Sequence, residues 1–291
     1  MTPWPTQAGR HHSGMRRRYS VKKTRVAFIG AGQFANVFHY PTLSEMDDVE
    51  LVAIADLNPE LLSRTADAYG VPGRYADYQE MLEKETIDAV YVIMKPAPLE
   101  PIVLDVLSAG KHVFTEKPLG LTIEQTRRLA AAAHAAGVKT QVGTNRRFSR
   151  VLRTAKDLVL ERGPISMVVG EFHKDMESEQ FDMEVMHSDA LHVLDPLRYL
   201  AGEPVSVHSH ADRWYRKTGW AHSHNVYSAF MRFDSGATGV FLANRQSGTR
   251  FERFEIHGDG IVAYVHTPDI ARIFTAGNSD PLEIHGKDLA G

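Results

Sequence analysis

The chain has 291 residues, enough to bury a sizeable core and to form two domains. At 43% hydrophobic, 24% charged and a net charge of −3, it reads as a globular protein without the basicity of a nucleic-acid binder. It has no cysteine, which excludes disulfides, a thiolate nucleophile and a cysteine metal cage, and no apolar run is long enough to span a membrane.

Residues 1–23 stand apart, with Arg10, Arg16, Arg17, Arg18, Lys22 and Lys23 and no acid. Setting these six aside from the 33 basic residues leaves the body, with its 36 acids, at about −9. The segment reads as a disordered basic leader; the alternative is a flexible arm for nucleic acid or anionic lipid, and Met15 offers a second start. Arg16–Arg17–Arg18 has the look of a twin-arginine export signal, but no separate apolar segment follows. The expected location is therefore the cytoplasm, with no nucleic-acid or membrane partner.

The first structured stretch is residues 25–40. Residues 26–29 form a short apolar run suited to a strand buried on both faces of a parallel sheet. Gly30, Ala31, Gly32, Gln33, Phe34 and Ala35 follow as G-x-G-x-x-A, and an amphipathic helix is then expected to stop near Pro41. Strand, glycine turn and helix make a dinucleotide site: Gly30 permits the turn, Gly32 leaves room for a pyrophosphate, and Ala35 allows close helix–sheet packing. Val49–Ala55 reads as the second strand. Asp56 at its tip is placed to accept from adenosine ribose hydroxyls, the alternative being a solvated loop acid. Residues 57–59 offer no basic side chain for a 2′-phosphate, which favours NAD over NADP.

Asn58, Pro59 and Glu60 carry cap, first-turn proline and first-turn acid for a helix to Tyr69, closed by Gly70. Asp77 and Glu80 predict a capping box, as do Thr122 and Gln125. Residues 89–94, His112–Thr115 and 138–142 read as strands, and helices are expected over 99–109 and from Thr122 to Gly137. This alternation predicts a doubly wound α/β (Rossmann) domain over 24–142.

The rhythm changes over 143–291. Helices are expected from Ser149 to about Glu161 and over 189–200, with a kink or boundary at Pro196. Residues 165–173 read as a strand and 174–186 as a long polar loop. Strand patterns follow at 205–210, Val226–Phe233, 237–245, 253–257 and Ile261–His266, with hairpin turns at 234–236 and 258–260. Together they predict an α+β domain with a mainly antiparallel sheet, whose face can cover a cleft.

Lys117 falls at the carboxyl end of a parallel strand, the edge where open α/β sheets bind ligands. Pro118 restricts its backbone, and a lysine there can act as acid or base if its pKa is lowered; a surface lysine is the plain alternative. Asp189 and His192, three apart, share a helix face and could relay a proton. The residues alone favour the plainer reading, a helix-start acid and a core-edge histidine. The histidines at 208 and 210, and at 222 and 224, supply only pairs, so no metal site is expected.

The glycine turn, Ala53–Ile54–Ala55–Asp56 and above all the segment from Ala109 through Gly110, Lys111, His112, Val113, Phe114, Thr115, Glu116 and Lys117 to Pro118 resemble the glucose-fructose oxidoreductase/inositol dehydrogenase (Gfo/Idh/MocA) family. The likeness runs from Thr24 onward. It implies an NAD(P)-dependent oxidoreductase passing a hydride between a nicotinamide and a secondary alcohol of a sugar, polyol or related compound. It places Lys117 near the nicotinamide and the reacting hydroxyl, Glu116 and the turn beginning at Pro96 at the cofactor, and a catalytic role on His192 with Asp189. It also makes Arg146 and Arg147 candidates for the substrate side. Many relatives hold the acid four residues before the histidine, where this chain has Ser188, and differ at Ala97 and Glu100. The family commonly forms homo-oligomers, so a dimer or tetramer is expected. Relatives usually continue into a further helical segment past the point matching Gly291, so a shortened chain is expected. The alternatives are a glycoside hydrolase that retains NAD and oxidises its substrate transiently, and a non-catalytic cofactor-binding regulator.

Overall fold

The computed structural model describes residues 22–175, 189–214 and 224–289. Most of the expected basic leader, nearly all of the expected 174–186 loop, Ser188 and His222 lie outside the described residues.

The first half begins with β1 (Thr24–Ile29), whose last four residues are buried. The helix expected after the glycine turn starts as a π-helical segment, Ala35–His39, and passes directly into α1 (Tyr40–Ser44). Pro41 does not stop it. The change of winding puts Pro41 in the first turn of α1, where its missing N–H leaves no intrahelical bond unmade. There follow β2 (Val49–Ala55), α2 (Pro59–Tyr69), β3 (Gly73–Tyr75), α3 (Tyr78–Lys84), β4 (Ala89–Val92) and α4 (Leu99–Ser108). The half closes with β5 (His112–Thr115), α5 (Ile123–Ala136) and β6 (Thr140–Val142). The strands form one parallel sheet in the order β3-β2-β1-β4-β5-β6. The chain reverses direction of winding between β1 and β4, and the crevice at that point is where such sheets take ligands.

Local signals act largely as read. Asn58 caps α2 by accepting from the N–H groups of Glu60 and Leu61, at 3.0 and 3.1 Å. Thr122 and Gln125 close a full capping box on α5. The box expected at Asp77 is half formed: Asp77 accepts from Gln79 N–H at 2.8 Å, while Glu80 turns along the helix to Lys84 at 2.5 Å. An exposed i,i+4 ion pair has displaced the return bond. β3 was not foreseen, because a three-residue edge strand beginning with glycine carries no alternation.

The second half contains α6 (Arg150–Leu160), β7 (Met167–Asp175), α7 (Leu191–Ala201), β8 (Pro204–Asp212), β9 (Val226–Phe233), β10 (Thr238–Asn244), β11 (Gln246–Gly258), β12 (Ile261–His266), β13 (Ile270–Thr275) and β14 (Leu282–His285). They make a sheet in the order β14-β13-β12-β11-β7-β10-β9-β8, antiparallel except for the β7–β10 pair. β11 is far longer than the expected 253–257, and β13 and β14 were missed. Ser149 occupies the N-cap of α6, but its side chain makes no capping bond.

α7 continues through Pro196, so the expected helix boundary does not fall there. Proline removes the bond that the His192 carbonyl would accept. The surrounding burial of Val193, Pro196, Leu197, Leu200 and Ala201 holds the helix through it. α6 and α7 cover one face of the sheet, in a core with Phe172, Phe241, Phe254 and Ile256. Gly170 on β7 lets α7 settle onto the sheet, since an added Cβ would collide with Val193 Cγ1.

Strand alternation sorts the charged residues of this sheet. Phe172 lies opposite Ala243 on one neighbour and Glu252 on the other, on the helix-covered face. Glu171, His173, Arg253 and Glu255 point to the opposite face, where Arg253 pairs with Glu171 at 2.8 Å and with Glu255 at 3.0 Å.

Candidate active site

The dinucleotide crevice is built by the ends of β1, β2 and β4. Gly30 has φ +113°, and a Cβ there would drive into the backbone carbonyl of Ile93, just beyond β4. Glycine is required at this point to bring the two strand ends together. Asp56, at the end of β2, accepts from Ala31 N–H at 2.7 Å and from Asn58 N–H at 2.8 Å, so its carboxylate is pinned beside the glycine turn. A Cβ on Gly32 would meet nothing within 4 Å, whereas Ala35 is fully buried. Gly32 therefore fronts open space that a pyrophosphate can occupy, and Ala35 does the close packing. Leu57, next to Asp56, is almost fully exposed and offers no cation to a 2′-phosphate. These residues fit NAD.

Past β5, Glu116 and Lys117 occupy the carboxyl edge of the sheet. Glu116 pairs with His39 at 2.9 Å and also accepts from the Lys117 N–H at 3.2 Å. His39 sits edge-on to Phe114 and Tyr91, so the π-helical segment and the β5 edge are tied together by both a hydrogen bond and ring contacts. Sequence reading missed His39. Pro96 lies in the turn after β4, where its carbonyl accepts from Leu99 N–H at 3.2 Å. Glu100 is engaged by Arg128 at 2.6 Å.

The second domain brings Asp189 and His192 to the same place as Lys117. Burial lowers the Lys117 pKa; Asp189 and Glu116 oppose that shift, while Lys174 and Arg146 add to it. His192 is pushed down to about 3, first by burial and then by the charges of Lys117 and Arg146. Burial alone would raise Asp189, but Arg245, Lys174 and Lys117 overcome it and hold the carboxyl below its usual range. The result is a neutral imidazole, an ionised carboxylate and an eased lysine in one water-poor site. That set can accept, hold and pass on a hydroxyl proton.

Of the two arginines expected on the substrate side, Arg146 forms a two-pronged pair with Glu252, at 2.5 and 3.0 Å. Arg147 is bound through two bonds to Asp195 on α7, with Tyr199 close by, and joins the Asn145–Phe148 turn to that helix. Only Arg146 is close enough to act on the charges of Lys117 and His192.

Four further residues complete the site and escaped sequence reading. Lys174 is 2.9 Å from Asp189, and Arg245, whose side chain is 0% exposed, is 3.5 Å from the same oxygen. Arg250 is 3.6 Å from Glu252, and Phe172 stands edge-on to His192 with ring centres 6.0 Å apart. Arg245 carried a readable signal: it continues the Phe241, Ala243 alternation of buried positions on β10. A charge in phase with core residues is more informative than a charge on the solvent face. Among the described residues there is no group of three or more side chains able to hold a metal ion, and no helix is long and apolar enough to cross a membrane.

The arrangement sets a pH dependence. If His192 must be neutral to take a proton, kcat/KM should show no break near pH 6.5 and should fall only well below pH 5. Lys117, if required protonated, places the alkaline break below the ordinary lysine value of 10.5. The unfolded chain protonates its histidine near 6.5, so this burial costs stability as pH falls from there toward 3, at about 1.4 kcal/mol per unit. A pH–rate profile with an acid break at 6 to 7 would contradict this assignment.

A parallel sheet with a dinucleotide crevice, joined to a second, mainly antiparallel sheet, defines a nicotinamide oxidoreductase. Comparison with known proteins agrees. The oxidoreductase family model with an NAD-binding Rossmann fold matches residues 24–144, and that of the GFO/IDH/MocA C-terminal domain matches residues 153–262. The chain belongs to the Gfo/Idh/MocA oxidoreductase family. It is 30% identical to myo-inositol 2-dehydrogenase of Thermotoga maritima over 245 residues, covering 80% of this chain and 72% of that protein. It is 29% identical to inositol 2-dehydrogenase of Rhizobium meliloti over 250 residues, covering 82% and 74% respectively. The fold also matches levoglucosan dehydrogenase solved with NADH and L-sorbose, with a TM-score of 0.80 at 22% identity over 91% of this chain and 80% of that one. The expected fold class, family and NAD cofactor are borne out.

Proposed function

We propose that the chain oxidises a secondary alcohol of a sugar, polyol or related hydroxy compound at the expense of NAD, with Lys117, His192 and Asp189 handling the hydroxyl proton. The observation that carries this is the meeting of Lys117, from the cofactor-domain edge, with Asp189 and His192, from the second domain, in one buried cluster. Relatives named for inositol and a fold neighbour solved with NADH and L-sorbose support the substrate class.

Bound NAD+ supplies the hydride acceptor. Gly30, Gly32, Gln33 and Phe34 would hold its phosphates with Ala35 packed behind them, Asp56 would hold its adenosine ribose, and Pro96, Glu116 and Lys117 would flank its nicotinamide side. Lys117 donates a hydrogen bond to the reacting hydroxyl, which favours loss of its proton as the carbon becomes a carbonyl. His192 accepts that proton in its neutral form. Asp189 orients the imidazole and offsets the positive charge it gains. Arg146 helps to line the substrate side; Arg147 secures α7 through Asp195.

The chain works in the cytoplasm as a dimer or tetramer in this reading. Support for self-association comes from exposed apolar side chains on the edge strand β8 of the second sheet, Val205 and Val207.

Titration with NAD and NADP, followed by intrinsic fluorescence, tests the cofactor assignment. Asp56→Ala is expected to weaken NAD binding by about tenfold, the value of a charge-assisted bond to the ribose. A panel of sugars and polyols then tests the reaction by stoichiometric NADH release, which a cycle that restores its NAD at every turnover does not give. A folded protein that binds neither cofactor would remove the basis of the reading.

A further inference from the structure

Resting on the dehydrogenase reading, we propose that the substrate carries an oxyanion in addition to its reacting hydroxyl, and that Lys174, Arg245 and Arg250 receive it. Among the described residues, the site holds more cations than carboxylates to pair with them. Lys174 and Arg245 face one carboxylate, Asp189. Arg146 and Arg250 share a second, Glu252. Four cations thus face two carboxylates. The acids of the neighbouring positions, Glu171 and Glu255, are spent on Arg253 on the far side of the sheet.

Arg245 makes the excess costly. Its side chain is completely buried, yet none of its three guanidinium nitrogens meets a hydrogen-bond acceptor. Asp189 lies at 3.5 Å, and that carboxylate is already drawn to Lys174 at 2.9 Å. The guanidinium is held instead over the Phe172 ring, 4.6 Å from its centre. The same ring has the Arg250 guanidinium at 5.4 Å and the Lys174 ammonium at 5.9 Å. Three cations gathered round one aromatic ring repel one another, and a quadrupole returns less than a full counter-charge. A buried cation without acceptors persists where something else completes it, and an anionic group does so for all three at once.

Access runs through the outer two. Lys174 keeps 24% and Arg250 61% of their side-chain surface exposed, so both can meet an incoming anion while Arg245 supplies fixed charge behind them. Arg146 and Arg250 also line an open cleft of about 550 Å³. His192, which senses the charge of Arg250, places the reacting hydroxyl within the same field. A polyhydroxy acid or a sugar phosphate has the required chemistry, and a neutral polyol leaves the excess uncompensated.

The test uses the whole chain saturated with NADH and matched probes: galacturonate against galactose, gluconate against glucitol, and galactose 6-phosphate. Binding is read from the change in NADH fluorescence. At least one anionic probe should bind about tenfold more tightly than its neutral partner, with the difference shrinking as salt rises from ~50 to ~500 mM. The carboxylate and phosphate arms show which oxyanion is preferred. Arg245→Met should abolish the preference. Arg250→Ala, at an exposed position that does not endanger folding, should reduce it by about fivefold. Equal affinity within each pair overturns the proposal, as does a preference that survives both substitutions. So does a protein that binds NADH but none of the anions; the cofactor assignment then stands. Failure to bind NADH overturns the dehydrogenase reading first and this proposal with it.

Discussion

Replacement of Lys117 by Met is expected to lower kcat by about 10²–10⁴-fold while NAD affinity changes far less. Lys117 sits where burial, not exposure, defines its chemistry: its ammonium is eased toward deprotonation and steadied by Asp189 and Glu116. Methionine keeps the length and apolar stem of the side chain, so the loss reports the amine and not a cavity. His192→Gln should bring a fall of the same order, because the amide cannot take up a proton. The double variant should be little worse than either single one, since the two groups serve one proton transfer and their effects do not add. Steady-state kinetics for the three variants, beside NAD titrations, give the comparison. Turnover that survives both substitutions would move the chemistry elsewhere.

The second large effect is on stability. Gly30→Ala is expected to destabilise the fold by about 3 kcal/mol or more, read as a lower urea midpoint. The backbone there has φ +113°, and the added methyl would strike the Ile93 carbonyl across the β1–β4 crevice. Gly32→Ala makes the contrast, because its methyl meets nothing within 4 Å. That variant should keep its midpoint to within about 0.5 kcal/mol yet bind NAD much more weakly, the methyl now filling space reserved for the pyrophosphate. Two glycines of one motif thus serve different ends, one the fold and the other the ligand. Similar stabilities for the two variants would show that this division is mistaken.

The dinucleotide half was legible because its signals are local. The buried run of β1, the G-x-G-x-x-A turn, Asp56 at the tip of β2 and the caps at Asn58 and Thr122 each lie within a few residues of the structure they specify. Where local signals compete, the structure had to decide. Glu80 pairs with Lys84 instead of closing its capping box, and Pro41 and Pro196 sit inside helical segments because winding and burial override them. β3, β13, β14 and the first part of β11 were missed because they are short, edge-like or broken by glycine. Such strands exist by virtue of a neighbour to pair with, and alternation within them is too brief to read.

The site divides in the same way. Lys117 and His192 could be chosen from sequence because each lies in a segment with its own pattern, and Asp189 followed as the nearby acid one turn earlier. Nothing in the sequence separated Arg146 from Arg147. Their partners, Glu252 and Asp195, lie 106 and 48 residues away, and only the packed sheets and helices show which arginine lies near Lys117 and His192. Lys174, Arg245 and Arg250 come from the ends of three neighbouring strands, and their shared ring, Phe172, joins them only once β7 pairs with β10 and β11. The class of protein and its cofactor were therefore readable in the chain alone, and so were the candidates for the proton transfer, since all of these depend on short segments with fixed chemistry. Tertiary structure alone decided the charge balance of the substrate side, because an electrostatic excess is a property of groups brought together in space, not of any stretch of chain.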